Sequence, residues 1–206
     1  MTPVERGAAG VPSRPDFSAA TKSTLPMLLP NRELWRVDPG RGVPQTVRQV
    51  VETVKGSGNK YEYDQDLGVF RLECALYSPM HFPGDYGFVP GTIAESGGPI
   101  QVLAIVDRPS FPGCMFDVRP VGILDLSEAT EVDRKILAVP TRDPRFEQIR
   151  SIEDVSSHVV EEIRHFFEIY KELEQKPVRS CGWRGVAAAQ SLIVESRRRY
   201  QQLQER

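Results

Sequence analysis

Between residues 45 and 140 the chain is cut into short apolar or alternating runs by turns rich in glycine and proline, and this rhythm restricts the fold more than any other feature. Short runs of β-branched and aromatic residues bounded by turn residues read as strands. "TVRQVVETV" (46–54) is dense in valine and threonine, and "GSGN" (56–59) follows it as a turn. "KYEYD" (60–64) alternates, and "DLG" (66–68) turns it back into "VFRLE" (69–73), which predicts a hairpin or meander. "IQVLAIV" (100–106) is mostly apolar, as expected of a strand covered on both faces. "CMFDVRPVGILDL" (114–126) is long enough to bend across a barrel corner, and "RKILAVP" (134–140) stops on a proline.

From residue 151 the period changes to that of a helix. "SIEDVSSHVVEEIRHFFEIYKELEQK" predicts one long helix with Ser156 as its N-cap. Val159, Ile163, Phe166, Phe167, Tyr170 and Leu173 trace its apolar stripe, and Pro177 ends it. A second helix is predicted from Arg184 to Leu203, with Val186, Ala189, Ile193, Tyr200 and Leu203 on its apolar face and Arg197, Arg198 and Arg199 as a solvated end. Many short strands followed by terminal helices imply an α+β domain, a small barrel with helices packed outside.

Residues 1–43, rich in Pro, Gly, Ser and Thr, read as a flexible or partner-docking extension, and 44–206 as the folded domain. "LPMLLP" and "LWRV" give the extension apolar residues with which to dock. A formal charge of −2 argues against nucleic acid as a partner. No apolar run approaches the ~18 residues of a membrane span, and the first 30 residues hold no compact apolar signal core. Three widely spaced cysteines, Cys74, Cys114 and Cys181, fit reduced thiols in a cytoplasmic protein better than a zinc site or a disulfide framework.

Four charged groups stand on or beside the β elements: Glu52 inside an apolar strand; Lys60 and Glu62, two apart and so on one face; Glu128 with Asp133 and Lys135; and Tyr170–Lys171 in the first helix. Taken singly, each reads as a surface charge. A carboxylate in an apolar strand needs a partner or a metal.

In order along the chain, "KYEYD", "ALYSPMHFPGDYGFVPGTI" (75–93), "RPVGILDLSEATEVDRKILAVP" (119–140), "HFFEIYKELE" (165–174) and the terminal "GW…A…IV" (182–194) resemble the soluble inorganic pyrophosphatases. The resemblance runs from about 47 to 197, roughly three quarters of the chain. It implies that family's five-stranded, OB-like barrel with two C-terminal helices outside, a homo-oligomer (trimer or hexamer), and a site in which carboxylates hold Mg²⁺ while lysine, arginine and tyrosine neutralise phosphate oxygens. On this resemblance Glu52, Glu62, Tyr86, Asp133 and Tyr170 are the candidate catalytic residues, Lys60, Lys135 and Lys171 bind the anion, and Glu128 with Asp133 is the remaining metal pair.

The family's Asp-x-Asp-Pro-x-Asp signature falls on Ser96, Gly98 and Gln101, with Pro99 keeping the register. The family's first and third aspartates hold the metal that generates the nucleophile, and the middle one takes the proton of the water. A phosphate-gripping arginine falls at Cys74, and a phosphate-contacting tyrosine at Phe82. Hard Mg²⁺ prefers anionic oxygen, so the expected cofactor is none or a single weakly bound Mg²⁺. The expected function is acid–base chemistry on a small anionic or diphosphate-bearing metabolite. The alternatives are a non-catalytic protein that binds a phosphate ligand or partner, and residual Mg²⁺-dependent diphosphate hydrolysis. Cys74 as a nucleophile and His81 with Asp85 as a new acid–base pair complete the expectations.

Overall fold

The computed structural model describes residues 34–128 and 131–205. Eight strands and two α-helices follow in order: β1 (Val47–Thr53), β2 (Asn59–Asp64), β3 (Val69–Ala75), β4 (Asp85–Phe88), β5 (Gln101–Ala104), β6 (Met115–Glu128), β7 (Glu131–Pro140), α1 (Ser157–Ile169), β8 (Val178–Gly185) and α2 (Val186–Gln204).

Five strands close on themselves. β1 pairs with β4, β4 with β5, β5 with β7, β7 with β6, and the start of β6 returns to β1. All these pairings are antiparallel except β5 with β7. This is the five-stranded barrel expected from the sequence. β6 serves three neighbours because it is 14 residues long and bends at Pro120–Gly122, where its register with β7 shifts. β8 adds to the outer edge of β6, and β2 and β3 form a separate hairpin.

Among the described residues, alternation along the strands sorts side chains into three apolar clusters, two of them shared with the helices. Leu103, Leu124, Leu126, Leu137 and Val139 join Ile163, Phe166 and Phe167 of α1. Val102, Ala104, Ile123, Ile136 and Ala138 join Ala189, Leu192 and Ile193 of α2. Gly87 permits the closest contact between β1 and β4: a Cβ there would stand 2.0 Å from the Val50 carbonyl oxygen.

Four expectations need correction or refinement. α1 ends at Ile169, and a short 3₁₀ turn over Glu172–Glu174 replaces its last turns, leaving Leu173 exposed. Gln175 closes this turn in the left-handed conformation, φ 59°. Ser156 occupies the N-cap of α1 without a side-chain capping bond. The second helix begins at Val186, because residues 178–185 form β8. The arginines near its end are not all solvated: Arg199 pairs with Glu95 at 3.1 Å and bonds the Ile93 carbonyl, and Arg197 lies 3.6 Å from Asp38.

Of the 1–43 extension, residues 1–33 lie outside the described residues. The remainder lies on the barrel: Trp35 meets Phe88 edge-on, ring centroids 6.3 Å apart, and its carbonyl accepts from Gly91 N–H.

Candidate active site

A cavity of about 340 Å³ opens where β1, the β2–β3 hairpin, β5, β7 and the end of α1 converge. Glu52, Lys60, Glu62, Tyr86, Asp133, Lys135, Tyr170 and Lys171 all line it, so the eight catalytic and anion-binding residues that the family resemblance implied come together. Ser96, Gly98 and Gln101 line it too. The side chain of Glu128 lies outside the described residues; its backbone ends β6 opposite Glu131.

Each element contributes through its period. Lys60 and Glu62 share one face of β2, and Asp133 and Lys135 share one face of β7. The parallel register of β5 on β7 sets Gln101 beside Lys135. Tyr86 comes from β4 and donates its hydroxyl to Gln101 Oε1 at 2.5 Å. Lys135 donates to the same oxygen and forms an ion pair with Asp133 at 2.7 Å. Its ammonium also lies 5.6 Å from the Tyr86 ring centroid, a cation–π contact.

On the other wall Lys60 Nζ is held between two carboxylates, Glu62 at 2.7 Å and Glu73 at 2.5 Å. Glu73 was missed in the sequence. A register shift between Lys60 and Tyr61 brings it beside Lys60, and strand alternation gives no sign of such a shift. Trp35 and Glu95 also line the cavity without having been expected there. Glu95 links Arg134 and Arg199 at the 93–98 loop.

Electrostatics differ from residue to residue. Burial raises Glu52 to about 7, against an opposing hydrogen bond from Tyr63 N–H at 2.9 Å. Burial works against charge on Lys60, but its bonds to Glu62 and Glu73 win and hold it above the usual lysine range. The same contest lowers Glu62, whereas burial raises Glu73. Burial depresses Lys135, opposed by Asp133, and raises both Tyr86 and Tyr170, so both phenols stay protonated at neutral pH.

Three expected participants are elsewhere. Asp85 is fully buried, and its carboxylate accepts from Lys55 N–H at 2.9 Å and Ser110 N–H at 3.0 Å, while His81 is exposed. That carboxylate is committed to holding loops, so the two do not form an acid–base pair. Cys74 stands opposite Lys60 in the hairpin but does not line the cavity, and burial raises its thiol, which disfavours a nucleophilic thiolate. Phe82 is buried against Phe166, ring centroids 4.9 Å apart, and serves the core.

Several of the oxygen donors at the cavity already have protein partners. The Gln101 oxygen already accepts from Tyr86 and Lys135. Asp133 faces Lys135, and Glu62 and Glu73 face Lys60. Among the described residues no three His, Cys, Asp or Glu side chains gather as a metal site.

A family model described as inorganic pyrophosphatase matches residues 49–201. A Geobacillus stearothermophilus protein named inorganic pyrophosphatase is 45% identical over 154 residues, 75% of this chain and 93% of that protein. A Nostoc protein of the same name is 42% identical over 162 residues, covering 79% of this chain and 96% of its own length. The crystal structure of inorganic pyrophosphatase from Thermus thermophilus superposes with a TM-score of 0.80 at 40% identity, covering 82% of this chain and 99% of that one. With the barrel, the cavity and these likenesses in agreement, the chain belongs to the inorganic pyrophosphatase family.

Proposed function

We propose that this chain is a diverged member of the family whose cavity performs acid–base chemistry on a small anionic or diphosphate-bearing metabolite, without the metal-activated water of diphosphate hydrolysis. One observation carries the reading. At the position of the family's third aspartate, Gln101 offers a neutral oxygen that is already bonded to Lys135 and Tyr86. Ser96 and Gly98, on the same loop, add no carboxylate. Losing two anionic ligands and a neighbouring aspartate removes most of the attraction for a hard dication.

What remains suits an anion and a proton. Lys60, Lys135 and Lys171 supply positive charge within one cavity. Tyr86 and Tyr170 offer hydroxyls that stay protonated, so they donate rather than accept charge. Glu52, with its pKa near 7 and a place on the cavity wall, holds or releases a proton near neutral pH, as a general acid–base group requires. Any Mg²⁺ in this reading is a single weak ion at Asp133 and Glu128, supplying charge to a phosphate oxygen. A homo-oligomer, trimer or hexamer, is part of the same proposal, and sedimentation would measure it.

A second reading, Mg²⁺-dependent diphosphate hydrolysis, is favoured by the 45% identity to a protein named inorganic pyrophosphatase. Calorimetry in EDTA tests the first reading: inorganic diphosphate should bind the wild-type chain without metal, and Lys60→Met should weaken it at least tenfold. Absence of binding without Mg²⁺, together with rapid phosphate release once Mg²⁺ is added, would decide for the second.

A further inference from the structure

We propose that the cavity takes a small organic phosphate or diphosphate in preference to inorganic diphosphate, with the Gln101 amide donating to the anionic end and Trp35 forming the wall for the apolar end. This rests on the reading that the water-activating metal centre has been lost.

The orientation of Gln101 follows from its partners. The Lys135 ammonium only donates, so the atom facing it is the carbonyl oxygen. The amide nitrogen is then left without a partner among the described residues, on a side chain that lines the cavity. A position that would attract a cation as aspartate presents N–H groups as glutamine. Such a donor suits direct contact with a phosphate oxygen, with no metal between them.

Trp35 supplies the other half. Its backbone is tied to the barrel through the Gly91 N–H, 2.7 Å from the Trp35 carbonyl oxygen, and its ring rests on Phe88. The indole Nε1 is buried and has no hydrogen-bond partner among the described residues. Ile100 and Leu192 extend the same lining with apolar surface. Inorganic diphosphate has no apolar surface to cover such a wall, whereas an ester carrying a compact aryl or alkyl group does. The wall and the cations belong to one cavity, so a single amphiphilic anion can meet both.

Calorimetry in EDTA with phenyl diphosphate and inorganic diphosphate tests this on the full chain. Phenyl diphosphate should bind at least tenfold more tightly. Trp35→Ala should weaken phenyl diphosphate about tenfold while leaving inorganic diphosphate within twofold. Trp35→Phe, which keeps an aromatic ring but a smaller one, should cost phenyl diphosphate about threefold, and it carries the test if the alanine variant does not fold. Gln101→Glu, charge without donor, should weaken both probes at least tenfold. Equal affinity of the wild type for the two probes, no binding of either, or equal weakening of both by Trp35→Ala would overturn the proposal. Efficient Mg²⁺-dependent release of phosphate from inorganic diphosphate would instead overturn the reading beneath it, so the two failures are distinguishable.

Discussion

On the proposed reading, the two walls of the cavity differ in how far they keep the residue types that the family resemblance implies. On the β1–β2 wall, Glu52, Lys60 and Glu62 keep their residue types, and the lysine sits between carboxylates. On the 94–101 wall, Ser96, Gly98 and Gln101 stand where the resemblance implies carboxylates. The backbone does not account for the loss. A side chain at Gly98 would meet nothing within 4 Å, and the loop's left-handed turn, φ 97°, falls on Gly97 rather than on a signature position. On the proposed reading, scaffold and chemistry are separable here: one wall would lose its metal-directed groups while the barrel beneath it stays packed.

That separation gives the strongest way to break the comparison. Restoring Ser96→Asp, Gly98→Asp and Gln101→Asp together should raise Mg²⁺-dependent phosphate release from diphosphate by about a hundredfold or more, measured colorimetrically. No gain in a folded triple variant would mean that the other wall has also lost its competence.

Asp85 sharpens the contrast from the structural side. Asp85→Ala leaves two backbone N–H groups without their carboxylate, one of them at Lys55 just beyond β1, and should destabilise the fold by about 2–4 kcal/mol in urea denaturation. A change below about 0.5 kcal/mol would return Asp85 to the candidates for catalysis.

Glu52 gives a pH signature to the β1–β2 wall. Its folded pKa of about 7 stands above its ordinary 4.5, so the folded state binds the proton more tightly. The associated stability is fully present below pH ~4.5 and is lost as pH rises to about 7, by about 3 kcal/mol at most. Glu52→Gln should flatten that part of the stability–pH curve. An unchanged slope in the variant would show that Glu52 is not the group titrating. The smallest effect is expected at Cys74: Cys74→Ser should shift stability by less than about 1 kcal/mol, and the wild-type Cys74 thiol should react with alkylating agents more slowly than exposed Cys181.

The barrel was largely legible because turn residues punctuate its strands and the apolar runs of β5, β6 and β7 are strong. β4 was not read as a strand, since "DYGF" is four residues long and contains the glycine that the β1 contact requires. β8 was hidden for a different reason. "VRSCGWRG" is polar and half exposed, as an added edge strand can be, and it lies between a proline and a helix. The site itself was read through family resemblance, not periodicity, which cannot relate Glu52 to Lys135 across 83 positions of sequence. Glu73 depended on a bulge, and Trp35 on a long-range contact with Phe88, and neither leaves a local pattern.

The most direct test of the central claim is the steady-state rate of phosphate release from inorganic diphosphate at saturating Mg²⁺, run beside the Thermus thermophilus relative. We predict a rate at least about a thousandfold lower for this chain, as expected when the metal-activated nucleophile is missing. A rate within tenfold of the relative would contradict the account and show that Ser96, Gly98 and Gln101 support the hydrolysis they were inferred to have lost.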